Sequence, residues 1–397
     1  MDKQDIIIIG AGISGLSLAN YCAREGLKTM VVEKTERVGG AFHSCRFGGE
    51  AGDFWLELGA HTGYNSYGNF LGLLEDCHVL DNIIKRAKVS FRMLIDDRVK
   101  SVFSQLDLAE LLLSVPHIFT LSKEGQSIES YYSRIVGRKN FEKVFMPAFS
   151  AIICQESCDF PADMLFQKRK RRKDIIKQFT FEGGLQTATD AIASQANIGI
   201  KTGLTVEKVS FDGNIFSVAT SGGIFESSGL ALASPASIAA ELLATAFPEV
   251  SGLLAQIKIA KVDSVGVAIK KESVNLSAVA GLIPVNDIFY SVVSRDTVQH
   301  DHYRGFTFHF KPGLLKHEAK LERISRVLGL RVSQLEFIAE KENYVPSLRI
   351  GHSEIIAKVE RLLAGIPLFI TGNYFSGVSI EDCVSRSLSE FQRLKKG

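Results

Sequence analysis

The sequence is poor in cysteine for its length. Six residues, Cys22, Cys45, Cys77, Cys154, Cys158 and Cys383, are scattered over 397 positions without a CxxC pair. That scarcity argues against a disulfide-stapled secreted scaffold and for reduced thiols in a cytoplasmic chain. Cys154 and Cys158 share helical i, i+4 spacing, but His117 is distant in sequence, so core packing is expected and no metal site is assigned. A dominant charge is missing too: 46 Lys and Arg against 44 Asp and Glu give a net charge of +2. Nothing in that balance invites nucleic acid as a partner. Long apolar runs are absent as well. The nearest, LAELLLSVPHIFTL from Leu108 to Leu121, falls short of the roughly 18 uninterrupted apolar residues that a spanning helix needs. Any membrane contact would therefore be peripheral. The charged start and the run Ile6–Ile9 enter a glycine turn instead of forming a secretory h-region.

What is present begins at that turn. Four isoleucines after Asp5 suit a buried parallel strand, and Gly10, Gly12 and Gly15 follow at once. LSLANYCAREG from Leu16 to Gly26 has an apolar helical face and a glycine stop, and KTMVVEK gives a second strand ending at Glu33. Strand, glycine turn, helix, strand and an acid form a dinucleotide-binding unit. Gly10 makes the tight turn, Gly12 with Ala11, Ile13 and Ser14 presents backbone N–H groups to a pyrophosphate, and Gly15 lets helix and strand pack. Glu33 would accept from the adenosine ribose. After Lys34 come Arg37, which can pair with a phosphate, and Gly39 and Gly40, which let the chain pass beside an extended dinucleotide. NAD and flavin both remain open on these residues.

Here the sequence resembles the flavin-dependent amine oxidase and protoporphyrinogen oxidase superfamily, which shows GxGxxG, a ribose-binding acid and RxGG in this order. WLELGAHTG, Trp55 to Gly63, looks like its next element, which places Gly59, Ala60, His61 and Thr62 beside the isoalloxazine ring. Ala41 stands where a large residue is often found. LFITGNYFSGVSIEDC resembles the last cofactor motif, with Gly372 and Asn373 at the phosphates or ribityl chain. Val378, Ser379 and Ile380 would offer helix N-terminal amides to flavin N1 and O2. Val206, at the start of a hairpin with an Asp212-Gly213 turn, matches an adenine contact, and Ser234 matches a returning Ala-Thr-Pro type turn. The resemblance implies FAD, held non-covalently because no cysteine lies between Cys158 and Cys383.

The implied fold is α/β: a Rossmann-like FAD domain (1–84, 179–260, 355–397) with an inserted α+β substrate domain (85–178, 261–354) carrying an antiparallel sheet and a helical part. FTFEGGLQTATDAIA, Phe179 to Ala193, reads as a helix, and the first insertion reads as helix-rich. FEGGLQT, YVPSLRIGHSEII and GVSIEDC resemble protoporphyrinogen oxidases in particular. In those enzymes an arginine holds a propionate and an aromatic ring packs on the tetrapyrrole; Arg92 and Phe289 or Tyr290 are the nearest matches. KRKRRKD, Lys168 to Asp174, is either a solvated face or an anionic-lipid contact.

The resemblance implies hydride transfer from a tetrapyrrole-like or other apolar substrate to flavin N5, with oxygen or a quinone as acceptor. His61 is the candidate acid or base. An amine oxidase, with Tyr374 and Phe375 as aromatic cage, and an isoprenoid or carotenoid desaturase are the rivals. A non-catalytic flavin-binding protein is a third. A homodimer is one assembly open to the chain.

Overall fold

The computed structural model describes residues 3–48 and 52–396. The isoleucine run becomes β1 (Gln4–Ile9), whose Ile6, Ile7 and Ile8 are fully buried at the centre of a seven-stranded sheet. Branched residues on both faces suit a parallel strand covered on both sides. Helix α1 (Ile13–Arg24) leads to β2 (Thr29–Val32), parallel to β1, and β10 (Ile198–Lys201) extends that edge. Across β1 lies β13 (Gly223–Leu232), followed by β12 (Phe216–Thr220) and β11 (Val206–Phe211).

β13 forks. Its early residues pair antiparallel with β12, while Leu230–Leu232 pair parallel with β19 (Leu368–Ile370). A strand from late in the sequence thus lies one place from β1. Helix α13 (Ile380–Leu394) then packs on α1, where Ser387 Oγ donates to the Ser14 carbonyl at 2.8 Å. Leu16, Ala19, Val384 and Phe391 share one buried cluster with α2 (Gly68–Asp76) and α8 (Gln186–Ala193).

Two small sheets connect the halves. β3 (Ser44–Arg46) pairs with β4 (Trp55–Glu57), and β9 (Gln178–Phe181) lies between β5 (Gly63–Tyr64) and β6 (Ile83–Lys85). The helix expected over 179–193 is therefore confined to α8. Phe179 and Phe181 alternate as strand residues, and Gly183 and Gly184, at φ +79° and +94°, turn the chain before the helix begins.

The second seven-stranded sheet runs β18 (Phe337–Ser347), β14 (Lys258–Lys270), β17 (Tyr303–Phe310), β16 (Phe289–Ser294), β15 (Gly281–Pro284), β7 (Phe91–Ile95) and β8 (Arg98–Ser101). The first insertion thus contributes two strands as well as helices, and β7 enters parallel to β15. One sheet face is apolar. Val265, Val267, Phe306 and Phe308 pack there with Leu321 and Ile324 of α11 (His317–Leu328), each worth roughly 1.5–3 kcal/mol in burial. The opposite face is small and polar, with Ser264, Gly266, Gly305, Thr307 and His309 in register. β4 rests on it: a Cβ on Gly305 would lie 2.2 Å from Leu56 Cδ2.

α3 (Leu108–Ser114), α4 (His117–Thr120), α5 (Ile128–Val136), α6 (Arg138–Asn140) and α7 (Met146–Ile153) form the helical part. α9 (Ala236–Leu243), α10 (Pro248–Leu254) and α12 (His352–Leu362) complete the fold. Among the described residues no helix is long and apolar enough to cross a membrane.

Candidate cofactor and substrate site

The glycine turn is shaped by close backbone approach. A Cβ at Gly15 would lie 1.9 Å from the Gly10 carbonyl oxygen, and one at Gly40 would lie 3.1 Å from Gly12 Cα. Gly10 itself, at φ +106°, abuts the Ala233 carbonyl. The resulting cradle has N–H groups of the first turn of α1 on one wall and the 39–43 loop on the other. Ser234 Oγ, buried beside Gly10, makes no hydrogen bond. Such a cradle with an orphaned hydroxyl fits an extended dinucleotide. Glu33, just past β2, closes one end of the cradle: its Oε2 accepts from the Ala11 amide at 2.9 Å, and its Oε1 accepts from the Thr35 amide and hydroxyl. Lys34 is exposed, and Val206 begins β11.

Arg37 is placed differently from its expected phosphate pairing. Its guanidinium donates to the carbonyls of Val38, Phe42 and Gly40, at 2.7, 2.9 and 2.7 Å, and braces the loop. Lys341 Nζ, from β18, reaches the same Gly40 carbonyl at 2.6 Å. Burial, reinforced by Arg37, pushes the Lys341 ammonium down to about 7. His43 is held down to about 4 by burial and then by Arg37 and Lys341, and its Nδ1 has no partner. Lys341 and His43 were not foreseen. His43 could have been suspected from its place three residues after the glycine pair, but Lys341 becomes visible only once strand register turns it toward Gly40.

The next segment lies across this junction. The Ala60 amide donates to the Ala41 carbonyl at 2.9 Å, and a Cβ at Gly59 would lie 2.1 Å from that oxygen. His61 Nδ1 is 2.8 Å from Thr62 Oγ1, and its carbonyl accepts from Arg86 at 2.7 Å. Burial, with Arg86 and His309 nearby, pushes His61 down to about 3. It is therefore neutral at physiological pH, able to accept a proton only weakly. Beside it a cavity of about 20 Å³ is lined by Glu57, Arg86, Thr180, Arg295 and Thr297. Burial raises Glu57 to about 7, against the Leu185 amide and the Ser44 hydroxyl, each 2.7 Å away.

At the late motif, Gly372 is pressed by its neighbour, since a Cβ there would lie 2.6 Å from the Tyr374 ring. Asn373 is half-buried. Ser379 caps α13, accepting from the Asp382 amide, while the Asp382 carboxylate takes the Ser379 amide at 3.0 Å. The Ser379 N–H is thus already spent, which leaves Val378 and Ile380 as the amides free for an acceptor at this helix start. Arg169, from the basic run, pairs with Asp382 at 2.5 Å. The run is consequently split: Arg169 and Arg172 staple it to α13 and to Glu75, while Lys168, Lys170, Arg171 and Lys173 remain exposed.

The substrate candidates divide by sheet face. Phe289 packs edge-on against Phe308 and Phe310 in the apolar core under α11. Arg92, in register with buried Leu282, alternates onto that same face, away from the junction. A bulge between Phe289 and Ser291 frees Tyr290, whose ring sits beneath Lys311 Nζ at 5.3 Å. Tyr374 is 1% exposed and packs on Phe375 inside a large buried cluster, so neither late aromatic stands as an open cage.

Comparison with known proteins accords with this geometry. The sequence family described as an NAD(P)-binding Rossmann-like domain matches residues 8–77. Protein anon-37Cs of Drosophila lebanonensis is 31% identical over 181 residues, covering 38% of this chain and 33% of that protein. A 15-cis-phytoene desaturase of Synechococcus elongatus is 35% identical over 78 residues, covering 20% of this chain and 16% of that enzyme. The chain thus matches a third or less of the length of these relatives. In three dimensions, a candidate protoporphyrinogen oxidase from Exiguobacterium sp. 255-15 superposes with a TM-score of 0.80 at 16% identity, over 100% of this chain and 99% of that one. Putrescine oxidase bound to putrescine gives 0.72 at 14% identity, over 100% of both chains. From the glycine turn through α13, the chain carries the same fold as these two solved structures.

Proposed function

We propose that the protein is an FAD-dependent oxidoreductase acting on a porphyrinogen-type substrate. The observation that carries the cofactor assignment is the convergence of the Gly12–Gly40 cradle, Glu33 and the β19–α13 turn on the two sides of one sheet position, between β1 and β19. Bound FAD would supply the hydride acceptor. The chain would hold it through Glu33, the α1 amides and Gly372–Asn373, and would place His61 and Lys341 at the ring end. Neither of these two carries a firm positive charge at neutral pH, so both suit a pocket that must not repel the pyrrolic cation left when a substrate carbon gives up hydride.

Burial of Tyr374 and Phe375 favours the porphyrinogen reading over amine oxidation, because an aromatic cage needs open rings. A desaturase reading draws support from the exposed apolar surface: Phe103, Leu112, Leu113 and Phe119 are 82%, 72%, 80% and 84% exposed. With Phe166 and the exposed lysines after it, that surface suits docking on an anionic membrane. Oxygen or a quinone would reoxidise the cofactor.

The test is a visible spectrum of purified protein, followed by anaerobic addition of coproporphyrinogen III or protoporphyrinogen IX. Bleaching supports the reading. A flavin spectrum unmoved by either, yet bleached by putrescine or by 15-cis-phytoene, transfers the assignment to a rival, and a colourless protein that takes up no FAD ends it.

A further inference from the structure

The polar face of the second sheet holds a row that cofactor binding leaves unexplained. Lys341 on β18, Ser264 on β14, His309 on β17 and Ser291 on β16 are successive register partners. Ser264, His309 and Ser291 are 1%, 6% and 6% exposed. Buried polar groups in such a row must satisfy one another, which allows the protons to be placed one at a time.

The Leu58 carbonyl can only accept, so the amide nitrogen of Asn343 faces it, at 2.7 Å. The second proton on that nitrogen goes to Ser264 Oγ, at 2.8 Å. Ser264 Oγ in turn lies 2.8 Å from His309 Nδ1. A proton on Nδ1 would make the serine oxygen accept twice and strand its own hydroxyl proton without a partner among the described residues. With Nδ1 bare, the hydroxyl donates to it, and every proton from Asn343 to Ser264 has an acceptor. Imidazolium is disfavoured because burial holds His309 down to about 4. The ring is thus neutral with its proton on Nε2, and among the described residues no hydrogen bond reaches that nitrogen.

His309 stands at the domain junction. It is close enough to His61 to depress that residue's basicity, and its row neighbour Ser291 lies 3.7 Å from Cys154 Sγ at the end of α7. We infer that His309 is a specificity-determining residue, locked as the Nε2–H tautomer by the Leu58–Asn343–Ser264 chain, which donates a hydrogen bond to a carboxylate or carbonyl oxygen of the substrate. An ammonium group brings only donors and would leave this N–H unpaired in a row that already contains Lys341. The substrate half of the inference rests on the oxidoreductase reading; the tautomer does not.

Two measurements on the full chain separate those halves. Ring-nitrogen NMR of protein labelled with 15N-histidine, assigned through His309→Gln, should find Nδ1 bare and Nε2 protonated, and Ser264→Ala should weaken that preference. A protonated Nδ1 in the wild-type protein overturns the lock. Binding of coproporphyrin III, a tetracarboxylate, is then measured on FAD-loaded protein. His309→Leu should weaken it about tenfold, while His309→Gln, which keeps a donor near the Nε2 position, should stay within about threefold. Equal losses in both variants, no loss in either, or no binding by wild-type protein with an intact flavin spectrum overturns the specificity role. Absence of the flavin spectrum instead sinks the oxidoreductase reading and leaves the NMR result to decide the tautomer.

Discussion

The two seven-stranded sheets store their chemistry in different places. In the first, the candidate site lies beyond the strand ends, in turns where backbone N–H groups and missing side chains shape the cradle. In the second, it lies on the strand faces, where Lys341, Ser264 and His309 matter only because register turns them the same way. A turn site is fixed by local sterics. A face site is fixed by pairing, and a slip of one residue would send every member to the other side.

That contrast breaks most sharply at Gly15. Gly15→Ala sets a methyl 1.9 Å from a backbone oxygen that cannot move without dismantling β1 and α1. The expected result is a loss of about 4 kcal/mol or more with no FAD retained, read by urea melts and absorbance. Gly305→Ala is the matching insult on the second sheet, where the obstacles are side-chain atoms, the end of Leu56 and the edge of the Phe54 ring. A smaller cost of about 1–3 kcal/mol is expected, because side chains can repack where a backbone oxygen cannot. Equal costs would erase the distinction between the sheets.

Lys341 sharpens the comparison through pH. Its folded basicity lies below its unfolded value, so between about pH 7 and 10 the unfolded chain binds more protons. Stability carried by this residue should therefore rise with pH over that window, by about 1–2 kcal/mol after allowance for partial exposure. Urea melts at both ends of the window should show the wild-type protein gaining on Lys341→Met; a flat difference would remove Lys341 from the buried junction. The smallest effect belongs to the exposed helices. Phe119→Ser should change stability by less than about 0.5 kcal/mol yet reduce co-sedimentation with phosphatidylserine vesicles, and unchanged sedimentation would dismiss the lipid-facing role.

Legibility in the sequence follows the same division. Gly10, Gly12, Gly15, Glu33 and the Gly39–Gly40 pair could be read because each is dictated by neighbours a few residues away. The hairpin at Asp212-Gly213 was legible for the same reason, and Asp212 indeed accepts from the Asn214 and Ile215 amides. Arg92 and Phe289 were unreadable as to face, since nothing local says which side of a central strand meets α11. Tyr374 misled because an aromatic just past a Gly-Asn pair looks the same whether it lines a chamber or fills a core. Ser379 reads as a cap in sequence, but its reciprocal bond with Asp382 and the Arg169 clamp on that acid depend on contacts from a distant insertion.

The fork in β13 bears on biogenesis. Because β19 docks on the same strand that already supports β1, the glycine turn can form early during translation, but its far wall arrives only after both insertions have been synthesised. Closure of the cradle then depends on synthesis having run through both insertions, so a product terminated before β19 would lack that wall and be open to proteolysis.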